Sequence, residues 1–130
     1  MSNTFAYIIL QYCHSILTRE AINVGVLFKF SNENEIRISL KETDMLHLLY
    51  REFDKKTFDL ALEFISDGIT KYNLEQSETN FKLDQNFTEF IRNKLKWQDS
   101  LLQFTDPFIS VAINDNQSTI DYYTKMLLDN

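Results

Sequence analysis

A chain of 130 residues is long enough to bury about two-thirds of its unfolded surface, and it reads as one domain over 1–130. Its 44% hydrophobic and 14% aromatic content excludes a disordered polypeptide, and eleven Phe with six Tyr imply a core built largely of rings. A formal net charge of −6 argues against non-specific attachment to DNA, RNA or anionic lipid, which needs clustered Lys and Arg.

Phe5 to Tyr12 (FAYIILQY) is apolar at odd and even positions alike, the pattern of a central strand covered on both faces. A second strand follows over Ala21 to Phe30. Its even positions Ile22, Val24, Val26, Phe28 and Phe30 predict one continuous apolar face, with a smaller and more polar set at Ala21, Asn23, Gly25, Leu27 and Lys29. Ser31 to Asn34 (SNEN) reads as a hairpin turn, and Glu35 to Leu40 alternates with Ile36, Ile38 and Leu40 inward. These three strands form an antiparallel meander.

The period then changes. Thr43 or Asp44 can cap a helix carrying Met45, Leu46, Leu48, Leu49 and Phe53. Asp54 can cap a second, in which Phe58, Ala61, Leu62, Ile65, Ile69 and Tyr72 fall at helical spacing. Glu75 to Asn80 is polar and aperiodic, and a third helix is expected from about Asp84 to Trp97. Leu101 to Phe104 reads as a short strand, Pro107 as a break, and Phe108 to Ile113 as extended chain. Ser118 with Asp121 resembles a capping box for a last helix ending at Leu128. The expected fold class is α+β, with an antiparallel three- to four-stranded sheet, N-terminal meander first, packed against about four helices.

Few residues offer chemistry. His14 and His47 have no second His or Cys at ligand spacing, so neither a metal nor another cofactor is expected. Cys13 is the single cysteine and cannot form an internal disulfide. No signal-peptide pattern opens the chain and no apolar run approaches the ~18 residues of a membrane span, so a cytoplasmic protein without membrane attachment is expected. Arg92, Lys94 and Lys96 beside Trp97 could form a small phosphate patch. Cations at the negative end of a helix dipole account for them more simply. Lys55 and Lys56, and the acidic Glu52, Asp59, Glu63 and Asp67, read as solvated surface.

The remaining candidates are Arg19, Glu20, Asn23 and Gly25. By alternation Asn23 and Gly25 share a strand face, where the bare glycine permits close approach of a backbone, a ring or a ligand. Arg19, Glu20 and Asn23 could line a small polar site. In the architectural alternative Glu20 bonds loop amides, Asn23 satisfies a bulged strand and Gly25 accommodates a packed aromatic. The architectural alternative is favoured, because buried polar groups mostly serve hydrogen-bond accounting.

The segments YIILQY and EAINVGVLF, with LLQFTDP and the helix STIDYYTKMLL near the end, resemble the bacterial domain-of-unknown-function family 3037 over nearly the whole chain. The most specific part is Glu20–x–x–Asn23–x–Gly25 entering an apolar strand. The resemblance implies a small cytoplasmic protein with no assigned activity, encoded in some members beside a HipA-like kinase, and hence a protein partner. Two functions follow. One is a non-enzymatic protein-interaction module; the other is a ligand-binding or phosphoryl/nucleotide-related enzyme using Arg19, Glu20 and Asn23.

Overall fold

A computed structural model describes residues 3–15, 20–33, 35–41, 55–75 and 102–128. Five strands form one antiparallel sheet: β1 (Thr4–Ser15), β2 (Glu20–Phe30), β3 (Ile36–Leu40), β4 (Leu102–Phe104) and β5 (Phe108–Val111). The spatial order is β3-β2-β1-β4, with β5 pairing β1 along the same side as β4. The expected three to four strands thus become five, because both late extended segments lie against β1. Among the described residues there are two helices, not about four: α1 (Lys55–Glu75) and α2 (Asn116–Leu128). The helices expected from Thr43 to Phe53 and from Asp84 to Trp97 fall outside the described residues, as does the aperiodic stretch after Glu75.

The two helices cover opposite faces of the sheet. Helix α1 turns Phe58, Ala61, Ile65, Ile69 and Tyr72 inward, the stripe its spacing predicts. They meet Ala6, Ile8, Leu10 and Tyr12 of β1, with Val24 and Leu27 of β2 and Leu102 of β4. On the other face, Ile120 and Leu128 of α2 pack with Phe5, Val26, Phe28 and Phe30, and Tyr7 and Tyr123 join at the margin. Each such aliphatic or ring side chain contributes about 1.5–3 kcal/mol on burial. β1 therefore has apolar residues of both parities buried, as its sequence predicts.

β2 departs from the single apolar face expected of it. Leu10 pairs with Gly25 and Gln11 with Asn23, so Val24 is an extra residue: a β-bulge. The bulge inverts the alternation. Ile22 and Val24 face α1, whereas Val26, Phe28 and Phe30 face α2. Asn23 and Gly25 consequently lie on opposite faces, not on one. Lys29, on the α1 side opposite Ala6, is also buried; its ammonium donates to the carbonyl of Phe30 at 2.7 Å and to that of Glu33, closing the β2–β3 turn. Burial lowers the Lys29 pKa, and Glu33 partly restores it.

Helix α2 starts three residues earlier than the Ser118–Asp121 reading predicts. Asp115 is the cap, its carboxylate accepting the Ser118 N–H at 2.7 Å. Asn114, with φ of 58°, makes the left-handed turn just before it, a conformation asparagine tolerates. Asn3 donates to Asn116 (2.7 Å) and Asn116 to Asn32 (2.8 Å), tying the start of α2 to β1 and to the β2–β3 turn.

Candidate functional site

Of the four sequence candidates, Asn23 and Gly25 are fully described. Glu20 opens β2 opposite Ser15, and its side chain, like all of Arg19, lies outside the described residues. The Asn23 amide is engaged at both ends. Its oxygen accepts from the Gln11 Nε2 at 2.9 Å, and its nitrogen donates to the Leu127 carbonyl at 3.2 Å, in the last turn of α2. That carbonyl is among those with no partner inside the helix, so Asn23 acts as a cap supplied from the sheet. Gly25 serves packing on the other face. A Cβ there would lie 2.9 Å from Leu40 Cδ2, 3.3 Å from the Ser39 carbonyl oxygen and 3.6 Å from Leu10 Cβ.

The other described candidates are equally quiet. Cys13 is free and partly buried, and desolvation raises its pKa, which makes it a poor nucleophile. Among the described residues no group of three or more His, Cys, Asp or Glu could hold a metal ion. Lys55 and Asp59 pair at 3.1 Å on the exposed side of α1, beside an open hollow of about 440 Å³ also lined by Lys56, Leu60 and Glu63. No described helix is long and apolar enough to cross a membrane. Arg92, Lys94, Lys96 and Trp97 lie outside the described residues.

A feature not singled out from the sequence lies at the sheet's margins. On the β3 side, Asn73 of α1 places its amide against Ile36, accepting the Ile36 N–H at 2.8 Å and donating to the Ile36 carbonyl at 3.1 Å. A side chain thus takes up the outward groups at Ile36, the first of the three outward-facing residues of β3. On the far side, β4 and β5 run along β1 with one residue extra between them, since Leu10 pairs with Phe104 but Tyr7 with Phe108. Thr105 bridges that irregularity: its N–H donates to the Ile9 carbonyl at 2.9 Å, and its hydroxyl accepts the Ile9 N–H at 3.0 Å. Pro107 sits in the break, the place in a sheet where proline is tolerated.

Beyond Pro107 the margin is open among the described residues. Ala112 donates to the Asn3 carbonyl at 2.7 Å, so antiparallel alternation turns Phe108 and Ser110 toward β1 for hydrogen bonding. The N–H and C=O groups of Ile109 and Val111 then point away from the sheet, and among the described residues β5 pairs only with β1. The side chains are exposed as well, Phe108 at 47%, Ile109 at 58% and Val111 at 50%. On the α2 face a run of rings leads to this margin. Phe108 stacks on Tyr7 (centroids 5.2 Å), Tyr7 lies 5.1 Å from Tyr123, and exposed Tyr122 sits edge-on to Tyr123 at 5.5 Å. The Tyr123 hydroxyl donates to Ser110 Oγ at 3.3 Å, fastening α2 to β5. Burial, with a smaller effect of Tyr123, raises the Tyr7 pKa and keeps that phenol neutral. The sequence signal was present in an uncharged apolar run directly after a proline.

A five-stranded antiparallel sheet with a helix on each face, whose β5 margin pairs with no further strand among the described residues, defines an α+β protein. The chain belongs to the DUF3037 family, described as a protein of unknown function, whose sequence profile matches residues 7–127. Comparison with curated proteins and with solved structures found no significant match.

Proposed function

We propose that the protein is a non-enzymatic protein-interaction domain of a soluble, reducing compartment, engaging its partner through the open margin at β5. One observation carries the reading: on β5 the outward backbone groups of Ile109 and Val111, unpaired among the described residues, coincide with exposed apolar side chains at Phe108, Ile109 and Val111. Open apolar margins invite strand addition, and proteins that do not use them usually cover, charge or plug them. A HipA-like kinase is the first partner to try.

Co-expression of the two proteins with one tagged, followed by gel filtration, tests this directly. The pair should co-elute, and Ile109→Pro should release the kinase while leaving the fold intact, since the proline removes only an outward N–H. Co-elution that survives Ile109→Pro would move the interface elsewhere. The enzyme alternative built on Arg19, Glu20 and Asn23 draws no support from Asn23, whose amide is committed to Gln11 and Leu127.

A further inference from the structure

We infer, on the reading of β5 as the interaction margin, that its occupant is an extended segment of another protein, apolar at alternate positions and flanked by Lys or Arg. The backbone requires the extended form. Two N–H and two C=O groups, from residues two apart, are matched by a strand and by no helix, whose own backbone groups are already paired. The side chains require the apolar alternation: Ile109 and Val111 are exposed on one face, and Phe108 on the other.

Charge selects the flanks. Asp106 and Asp115 stand exposed at the two ends of β5, and Asp121 follows on α2. These are the three carboxylates between Leu102 and Leu128, a stretch with one cation, Lys125. Basic residues on either side of an incoming strand therefore find an acidic group at each end. A second copy of this chain finds the reverse. Antiparallel self-pairing about the middle of β5 would set Asp106 of one copy beside the Asp115 end of the other, between two molecules each of net charge −6.

Fluorescence anisotropy with labelled synthetic peptides provides the test. The probes share a core of alternating valine and threonine, flanked by lysines or by glutamates; a third is lysine-flanked with proline in mid-core. At about 0.15 M salt the lysine-flanked probe should bind about tenfold more tightly than the glutamate-flanked one, several weak exposed pairs together giving that ratio. The mid-core proline and Ile109→Pro should each lose that binding. Asp106→Asn combined with Asp115→Asn, which keeps the cap of α2, should bring the two flanks close to parity.

Equal binding of both flanked probes, lost in Ile109→Pro, would overturn the basic class and leave β5 as the interaction margin. Lysine-flanked binding indifferent to Ile109→Pro and to the mid-core proline would overturn the strand itself, and with it the reading of β5. A dimer in sedimentation that Ile109→Pro dissolves would make a second copy the occupant and overturn the inference. Should Ile109→Pro fail to fold by circular dichroism, Ile109→Lys with Val111→Lys keeps every backbone group. It should weaken the lysine-flanked probe and strengthen the glutamate-flanked one; no change in that preference would overturn the inference.

Discussion

Gly25 and Asn23, two residues apart, do unrelated work because the bulge at Val24 turns them to opposite faces. At Gly25 the nearest obstacle to a side chain is Leu40 Cδ2, the end of a flexible, half-exposed group, with the Ser39 carbonyl behind it. Gly25→Ala should therefore cost little. Gly25→Val drives branched carbons toward backbone as well and should cost about 1–3 kcal/mol in urea unfolding. Asn23→Ala leaves the Gln11 amide and the Leu127 carbonyl without their partner and should cost about 1–2 kcal/mol. Asn23→Asp should cost more, because it places a carboxylate against the negative end of α2. If instead Asn23 serves a ligand site, its replacement should leave the unfolding midpoint unchanged. The pairing of Gln11 with Asn23 could not be seen in the sequence: straight alternation assigned Asn23 the same face as Gly25, and the extra residue reverses that.

At the scale of elements, α2 is held at its start by Asp115. The Ser118 N–H bonded to its carboxylate holds the Asp115 pKa below the ordinary 3.8. A carboxylate depressed in the fold adds stability above its unfolded pKa, and that stability is lost as pH falls through the lower folded value. α2 should accordingly loosen as the pH falls below 3.8, and Asp115→Asn, a cap without a titrating proton, should remove that part of the acid dependence. Far-ultraviolet circular dichroism of both proteins across an acid titration reads the difference; identical curves would remove Asp115 from the account. The Ser118–Asp121 pattern pointed to the helix but misplaced its start. Several cap sequences compete locally, and the one used is the one that Asn114's turn and Asn116's bonds to Asn3 and Asn32 bring into place.

For the molecule as a whole, β1 and β2 each supply residues to both apolar clusters, so neither helix can leave without uncovering the strands that support the other. Phe58→Ala on the α1 side and Phe28→Ala on the α2 side should each cost about 3–5 kcal/mol. Both variants should unfold in one transition, with far- and near-ultraviolet signals coincident. Separate transitions, one for each face, would show that the clusters act independently.

By itself the sequence determined the α+β class, the three N-terminal strands and the buried stripe of α1, because period-two and period-3.6 patterns arise from local geometry and survive any arrangement of the rest. The double-sided burial of β1 was legible for the same reason. Tertiary structure alone decided the bulge at Val24, the joining of β4 and β5 to β1, and the capping of β3 by Asn73 at Ile36. Each depends on which residue lies opposite which across long stretches of chain: Gln11 against Asn23, Tyr7 against Phe108, Asn73 against Ile36. A bulge adds one residue without altering composition, and an open margin is defined by what fails to pair with it. Neither leaves a periodic trace along the chain.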